Sequence, residues 1–323
     1  MRVAQAIAFG GPEVLVTAEA PDPVAGPGQA VVDVAAVDTI YVETQVRAGW
    51  GTEYFPVEPP YVPGAGIAGT VRAVGPGVDG AWLGRRVIAS LGHTGGYAEQ
   101  AVADVRTLAR VPDGLSFTDA AALVHDGVTA AALLDLTGVR PGERVLVVGA
   151  SGGMGTLLVQ LATAAGALVV GTARGERKSA LVRELGARAT VDTSAPDWVE
   201  RAREALGATG ADVVLDGVGG EVGLASFALV ADGGRFSAHG APTGGFAPVD
   251  PAAAGERGVR LLGIEDVRLK GAEHVRLAER ALRQAAEGRL RPVIGGTFPL
   301  ERAAQAHTAI EDRSLLGKVV ITV

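Results

Sequence analysis

The chain contains no cysteine among its 323 residues. This absence excludes disulfide bonds, catalysis by a thiolate and every zinc site that needs a cysteine ligand. Histidine is also scarce, and its 5 copies never show the His-x-x-x-His spacing of two ligands on one helix face. The sequence therefore predicts a protein without a bound metal ion.

Concentrated charge and long apolar runs are missing as well. The formal net charge is −7 and the basic residues are scattered, which argues against a nucleic acid or an anionic membrane surface as a partner. No window reaches the roughly 18 apolar residues of a membrane span, and Met1–Ile7 predicts a strand rather than a signal peptide. With 48% hydrophobic residues, we expect a globular, cytoplasmic protein with a substantial core.

Glycine, by contrast, is abundant, and its most informative cluster follows a short apolar stretch. Val145–Val148 predicts a buried strand, a glycine-rich turn follows, and Met154–Gly166 predicts a helix. Glycines let the backbone turn tightly and approach phosphates, while the start of a helix offers free N–H donors and a partial positive charge. This order predicts a dinucleotide site whose diphosphate contacts Ala150, Ser151, Gly152, Gly153, Met154 and Gly155.

Strands and helices alternate strictly through the middle of the chain. We expect strands at 145–148, 167–172, 188–192, 211–215, 234–238 and 259–264, with helices at 154–166, 176–186, 196–206 and 221–230 between them. Alternation of this kind is typical of βαβ units and a parallel sheet. The fold class is therefore α/β, with a doubly wound sheet between about residues 120 and 265.

The residues before this region show many short strands with Gly/Pro turns. Strands are expected at 31–37, 69–74 and 86–89, and a short helix with a loop at 38–47. This pattern predicts a compact, barrel-like β domain. Ser116–Asp119 predicts the start of an alanine-rich helix that Gly127 interrupts.

The C-terminal residues return to the character of the first domain. We expect a helix at 270–288, a strand at 293–300, a helix at 301–310 and a terminal strand at 318–323.

Seven short motifs occur in one order along nearly the whole chain: Gly10–Leu15, Tyr61–Gly69, Gly95–Glu99, Asp126–Ala130, Gly149–Gly155, Val214–Gly220 and Leu316–Val320. With these motifs the sequence resembles the zinc-free quinone oxidoreductases of the medium-chain dehydrogenase/reductase superfamily, the group that includes ζ-crystallin. The resemblance implies a GroES-like β-barrel domain at 1–119 and 266–323, a Rossmann domain at 120–265, and a homodimer.

The end of the second strand of the sheet bears on the choice of cofactor. Sites that prefer NAD usually carry Asp or Glu there, about 20 residues after the glycine turn, to bind the ribose 2′-OH. This chain has Thr172 and Arg174 in that region, without an acid, and Lys178 follows. Arg174 and Lys178 could hold a 2′-phosphate, and the resemblance gives the lysine that role. We therefore expect NADPH, with a solvated helix start as the alternative.

Other cofactor contacts are expected from the sheet edge and from the resemblance. The fifth strand ends before His239 and Gly240, on the carboxyl side where ligands bind. Gly240 would allow a close approach to the cofactor, and His239 could face it. The resemblance places Thr129 beside the nicotinamide, although its hydroxyl could instead bond its own helix, and adds Val218 and Lys318 to the cofactor contacts.

The residues expected around the acceptor differ from those of the family that the sequence resembles. Zinc-dependent relatives need a cysteine near residue 40 and Gly-His-Glu in place of Gly64–Gly66, and both are absent. Without zinc, hydride transfer is expected to run toward an electrophilic acceptor, a quinone or the C=C bond of an enone. The family's substrate-side motif, Asn-x-x-Asp-Thr-Tyr-x-Arg-x-Gly, has Ile40 for the Asn, Glu43 for the Asp and Gln45 for the Tyr.

Candidates for the polar chemistry follow from this loop and its neighbours. Glu43 is the predicted polar active-site group, with a surface carboxylate as the alternative. Tyr41 and Tyr54 could donate a proton, or else pack. Asp38 is expected to cap a turn, and His125 either lines the cleft or is a structural histidine.

Three functions remain open at this stage. The first is an NADPH-dependent reductase of quinones or enones, acting on a small molecule. The second is an enoyl reductase that acts on a thioester or a polyketide-like intermediate. The third is an NADPH-binding protein with a structural or nucleic-acid-binding role, against which the acidic net charge argues.

Overall fold

The computed structural model describes residues 1–267 and 271–323, and within them the chain divides into two units. The first unit comprises Met1–Val128 and residues 271–323, and the second comprises residues 129–267. The predicted helix at 270–288 begins outside the described residues, and within them it runs over Ala272–Ala286.

The first unit is mostly β-structure. Numbered in chain order through both units, its strands are β1 (Arg2–Ala6), β2 (Leu15–Glu19), β3 (Gln29–Asp38), β4 (Gly66–Val74), β5 (Arg86–Ser90), β6 (Gln100–Asp104), β7 (Ala109–Arg110), β14 (Ile294–Pro299) and β15 (Lys318–Thr322). β1 and β2 pair, while the others form a sheet in the order β14-β15-β3-β4-β5-β7, with β6 also on β3. Only the β14–β15 pair is parallel. Valines and alanines fill its core, which confirms the GroES-like β domain.

Over its described residues 129–267, the second unit has six strands, all in parallel pairs: β8 (Arg144–Val148), β9 (Leu168–Thr172), β10 (Ala189–Val191), β11 (Ala211–Asp216), β12 (Val230–Ala238) and β13 (Arg260–Gly263). Their order is β10-β9-β8-β11-β12-β13. The order reverses between β8 and β11, which is the switch point where ligands bind in such sheets. The predicted Rossmann fold is thereby confirmed.

The helices, in chain order, are α1 (Tyr41–Arg47), α2 (Phe117–Ala121), α3 (Asp126–Thr137), α4 (Gly153–Ala164), α5 (Glu176–Glu184), α6 (Trp198–Leu206), α7 (Gly220–Phe227), α8 (Pro251–Glu256), α9 (Ala272–Ala286) and α10 (Ala303–Glu311). Ser116 caps α2 by accepting a hydrogen bond from Asp119 N–H, as its sequence predicts. No described helix combines the length and the apolar character that a bilayer crossing requires.

Gly127 does not interrupt a helix, so that prediction is wrong. The break lies between Ala121 and Asp126, and Gly127 belongs to the first turn of α3. A Cβ atom at Gly127 would lie 2.9 Å from Cβ of Leu123 and 3.2 Å from Cβ of Ala281. Glycine therefore allows α3 to pack closely against α9, rather than ending the helix.

Candidate active site

The glycine turn of the second unit is tied to the end of the next strand. Gly149 adopts φ +77°, and its N–H donates to Thr172 Oγ1 at 3.0 Å, while Ala150 N–H donates to Thr172 O at 2.9 Å. A Cβ atom at Gly155 would lie 2.2 Å from Gly149 O. Only glycine lets α4 begin so close to the turn.

The start of α4 is open to an anion. Its N-cap residue is Gly152, which has no side chain to accept from the first N–H groups of the helix. Four such groups lack an intrahelical partner at every helix start, and an anion satisfies them well. Val218 Cγ2 lies 2.9 Å from the position of a Cβ atom on Gly149, so Val218 packs on the same turn. The residues present therefore fit the diphosphate of a dinucleotide.

The loop after β9 carries exposed basic residues and no acid of its own. Arg174 is exposed and Lys178 is half-buried. Asp192, after β10, accepts from Gly175 N–H at 2.8 Å and from Ser194. Hydrogen bonds from Ser194 and Gly175 hold the pKa of Asp192 below its usual value. The sequence does not predict Asp192 near the cofactor, because this residue follows a different strand.

At the carboxyl edge of the sheet, the loops after β11 and β12 contact each other. A Cβ atom at Gly240 would lie 2.3 Å from Gly217 O, so the close approach that Gly240 allows here is to the backbone of Gly217. Asp216 is fully buried and accepts from Val218 N–H and Gly219 N–H. Burial lowers the pKa of His239 to about 4, and this side chain is therefore neutral near pH 7.

Thr129 of α3 differs from Thr137 and Thr156. Thr137 Oγ1 donates to Leu133 O at 2.6 Å and Thr156 Oγ1 donates to Gly153 O at 2.8 Å, so both bond their own helix. Within 1–267 and 271–323, the Thr129 hydroxyl has no such partner, and the residue is half-buried. Its hydroxyl is available to a ligand.

In the first unit, Glu43 lies in the interior rather than at the surface, with 6% of its area exposed. Its two carboxylate oxygens accept from Ala65 N–H at 2.9 Å, Tyr97 OH at 2.9 Å and Ile40 N–H at 3.2 Å. Burial, with the nearby charge of Asp38, raises the pKa of Glu43 to about 7.

Glu43 is expected to titrate close to neutral pH. A carboxyl group whose pKa rises on folding destabilises the fold when it ionises, so its unfavourable contribution should grow as the pH rises from about 4.5 to about 7. Isotope-edited infrared spectroscopy should show the protonated carboxyl band near pH 5, and Glu43→Gln should remove it. A band already absent at pH 5 would contradict the raised pKa.

The bonds of Glu43 continue into a buried chain that the sequence did not reveal. Tyr97 OH lies 2.8 Å from His307 Nε2, and His307 Nδ1 lies 3.5 Å from Arg47 NH1. Burial lowers the pKa of His307 to about 3, so its ring is neutral. Since Arg47 can only donate, His307 accepts at Nδ1, donates from Nε2 to Tyr97, and Tyr97 donates to Glu43.

Arg47 also connects α1 to two other segments of the chain. The side chain is 2% exposed, and it donates to Gly10 O at 3.1 Å and to Glu311 at 2.6 Å. Segments far apart in sequence are thereby attached to α1. No local pattern pointed to this role, because the partners stand 37 and 264 residues away.

Asp38 does not cap a turn, and that prediction is wrong. Although burial alone would raise its pKa, Lys318 and His125 hold it below its usual value. Lys318 Nζ lies 2.5 Å from Asp38 Oδ1 and 3.1 Å from Asp126 Oδ2, and His125 Nδ1 lies 2.7 Å from Asp38 Oδ2. A fully buried carboxylate needs such partners. Lys318, predicted as a cofactor contact, is thus held by two carboxylates.

The two candidate tyrosines differ in position, since Tyr41 begins α1 and Tyr54 lies in the loop after α1. Tyr41, the first residue of α1, is half-buried, and Tyr54 is 63% exposed. Trp50 is 43% exposed, and its ring centroid lies 6.5 Å from that of Phe55. Phe55 in turn packs edge-on against His93 at 4.9 Å. Exposed aromatic rings of this kind suit a flat ligand.

Metal ligands do not gather around these groups. Over residues 1–267 and 271–323, no cluster of three or more His, Asp or Glu side chains could hold an ion. The carboxylates of Glu43 and Asp38 are engaged by hydrogen bonds and by Lys318.

The parallel sheet with its glycine turn defines a dinucleotide-dependent oxidoreductase. Residues 26–113 match the family model of the alcohol dehydrogenase GroES-like domain, and residues 185–321 match that of the zinc-binding dehydrogenases. A 2-haloacrylate reductase from a Burkholderia species is 33% identical over 97% of this chain and 96% of that protein. Human quinone oxidoreductase is 32% identical over 99% of this chain and 97% of its own.

Solved structures agree with these relatives. Escherichia coli quinone oxidoreductase complexed with NADPH has a TM-score of 0.92 and 26% identity, with 100% of both chains covered. The chain therefore belongs to the quinone oxidoreductase family of the medium-chain dehydrogenase/reductase superfamily. The match to the zinc-binding dehydrogenases extends to the fold but not to cysteine ligands, since the chain has none.

Proposed function

We propose that this protein is an NADPH-dependent reductase that transfers a hydride, without a metal, to a quinone or to the C=C bond of an α,β-unsaturated carbonyl compound. The observation that carries the proposal is the glycine turn at 149–155, which leaves the start of α4 open to a diphosphate. The related E. coli enzyme was solved with NADPH, and no acid stands at 172–174 to favour NADH.

Each part of the cofactor has a candidate partner in the second unit. The N–H groups at the start of α4 bind the diphosphate, and Arg174 with Lys178 binds the 2′-phosphate. The Thr129 hydroxyl, which has no partner among the described residues, binds the carboxamide. NADPH, when bound, supplies the hydride.

The acceptor side is proposed to work by hydrogen bonding and apolar contact. The chain lacks cysteine, and the described residues offer no cluster for a metal, so an electrophilic acceptor is the reasonable substrate class. Trp50 and Tyr54 provide exposed aromatic surface for a flat conjugated molecule, and the half-buried Phe55 lies beside Trp50. One relative is named for an acrylate, which is a conjugated C=C compound.

The 2′-phosphate contacts can be tested by a double substitution. In Arg174→Ala/Lys178→Ala, the KM for NADPH should rise about 10- to 100-fold, while that for NADH should stay nearly constant, because two charge-assisted bonds are lost. Arg183→Ala is the control, since Arg183 lies on the same helix α5 but bonds Thr190 and Glu176. An equal change for both cofactors would contradict the assignment.

The acceptor class can be tested with one panel. Initial rates with NADPH are measured on quinones, enones and enoyl thioesters, each with and without a strong chelator. We expect turnover of quinones or enones that the chelator leaves unchanged. Preference for enoyl thioesters would instead favour a biosynthetic enoyl reductase, and tight NADPH binding without any turnover would favour a structural role.

We also propose a homodimer through an edge of the parallel sheet. β13 is the outermost strand on one side, and an unpaired edge is open to a second strand. Light scattering should give twice the chain mass of 32.6 kDa, and Leu261→Pro should give the monomer. A monomeric wild type would contradict this assembly.

A further inference from the structure

His125 and Asp38 form a bonded pair in the first unit. His125 Nδ1 lies 2.7 Å from Asp38 Oδ2, and His125 backbone N–H donates to the same oxygen at 3.3 Å. The Asp38 side chain is fully buried, whereas 22% of the His125 side chain is exposed. An imidazole held by a carboxylate at Nδ1 leaves Nε2 for exchange with a ligand.

The orientation of the ring is fixed from a second side by Gly66. A Cβ atom at this position would lie 2.8 Å from His125 Cε1 and 3.0 Å from His125 Nδ1. The ring therefore occupies space that any other residue at position 66 would take. Over residues 1–267 and 271–323, Nε2 has no hydrogen-bond partner.

The charges around the ring favour its protonated form. Burial alone would lower the pKa of His125, but the hydrogen bond and the charge of Asp38 outweigh it and raise this pKa, with help from Glu43 and against Lys318. Two more groups face it: Asp126, whose carboxyl interacts with the imidazolium, and His274 of α9. These neighbours therefore favour the protonated ring over the neutral one.

Other candidates for proton donation are less suited. Glu43 is buried and both of its oxygens accept hydrogen bonds. Across the described residues, the phenols of Tyr41 and Tyr54 have no partner that would help them release a proton.

We propose that His125 is the catalytic acid of this reductase and protonates the reduced α,β-unsaturated carbonyl compound at its α-carbon. This inference rests on the proposed function. When a hydride has been added to the β-carbon, the π electron pair of the C=C bond moves to the α-carbon and the carbonyl. The Nε2–H bond of the imidazolium breaks and the α-carbon–H bond forms. The neutral ring, still held by Asp38, regains a proton from water at its exposed edge.

His125→Asn tests the step with little change of shape. The amide N–H replaces Nδ1–H toward Asp38, but it cannot act as an acid. Turnover of enones should fall about 100-fold or more. Turnover of quinones should fall less than about tenfold, because proton transfer from water to a hydroquinone oxygen is fast without a positioned acid, whereas protonation of an enolate carbon is slow. A purely structural role would lower both rates equally, and that result would overturn the inference.

A neighbouring histidine provides the control. His274→Asn changes the other imidazole near His125, which makes no bond to Asp38, and enone turnover should stay within about twofold of wild type. NADPH affinity should match wild type in both variants. If His274→Asn loses activity instead of His125→Asn, the assignment to His125 is wrong.

A spectroscopic measurement makes the test independent of turnover. In ¹⁵N NMR spectra, the His125 ring should titrate above the usual value of 6.5, and Asp38→Asn should lower its midpoint. Midpoints that are unchanged in Asp38→Asn would overturn the pairing. If wild type reduces neither enones nor quinones, the proposed function fails and the inference with it; if wild type and His125→Asn are equally active, only the inference fails.

Discussion

Replacing Lys318 with methionine is expected to lower the free energy of unfolding by about 3–5 kcal/mol. The ammonium lies between two buried carboxylates, Asp38 and Asp126, and is itself 5% exposed. Methionine fills a similar volume but leaves both carboxylates without their cation. Because burial strongly disfavours an unpaired charge, the loss of stability comes from Asp126 without its cation and from Asp38 with His125 alone as a partner.

The pH dependence identifies the cause of this loss. In wild type, the pKa of Asp38 is lowered, so its contribution is present above its unfolded value near 3.8 and is lost as the pH falls through the folded value. Without Lys318, burial raises the pKa of both acids, and the variant gains stability as they take up protons. Urea unfolding should therefore show a smaller difference in unfolding free energy between wild type and Lys318→Met at pH 5 than at pH 8.

A surface ion pair offers the matched comparison for this experiment. Arg201 and Asp197 are separated by 2.9 Å, but their side chains are 60% and 51% exposed. Exposed pairs contribute about 0–1 kcal/mol, so Arg201→Met should change stability little at either pH. If Lys318→Met lowers the free energy of unfolding no more than Arg201→Met does, the pairing of Lys318 with the buried carboxylates does not stabilise the first unit.

The second large effect is expected at the glycine turn. Alanine at position 155 should lower NADPH affinity at least about 100-fold and unfolding stability by about 3 kcal/mol, because its Cβ cannot fit against the turn. The built Cβ lies 2.2 Å from Gly149 O and 2.8 Å from Ala150 Cα. Both neighbours are backbone atoms, which cannot rotate away as a side chain can. Fluorescence titration with NADPH and thermal unfolding measure the two effects.

Gly255→Ala is the control for this substitution. Gly255 lies in α8 of the same unit, and a Cβ there would meet no heavy atom within 4 Å. Alanine in an open helical position stabilises by up to about 1 kcal/mol relative to glycine. Normal NADPH binding by Gly155→Ala would mean that the turn can move, and that the diphosphate binds elsewhere.

Local pattern was sufficient for the second unit. The strand at Val145–Val148, the glycine turn and the helix after it are contiguous, and each element is specified by residues within about one turn of it. The alternation of strands and helices then determined the parallel sheet, because crossover connections follow a fixed hand. For the same reason β13 was found within two residues of its observed bounds.

The buried polar chains of the first unit followed no local pattern. Tyr97 and His307 are separated by 210 residues, and Asp38 and His125 by 87. Each looks ordinary in its own segment, and only the closed β domain brings them together. Asp38 was therefore interpreted as a turn cap, although its partners lie on β15 and at the start of α3. Short strands such as β6 and β7 are not predicted from the sequence, because their alanine and charged residues give little alternation of apolar and polar positions.

The first unit uses both ends of the chain, and this has a consequence for synthesis on the ribosome. β3 pairs with β15, whose Lys318 is the last charged residue of the sequence. The second unit is continuous over its described residues 129–267, so it can complete its sheet while the C-terminal segment is still being made. Asp38, by contrast, lacks its cation until β15 has been synthesised. We therefore expect nascent chains to acquire the dinucleotide fold first, with the unclosed β domain as the segment that most needs protection from aggregation.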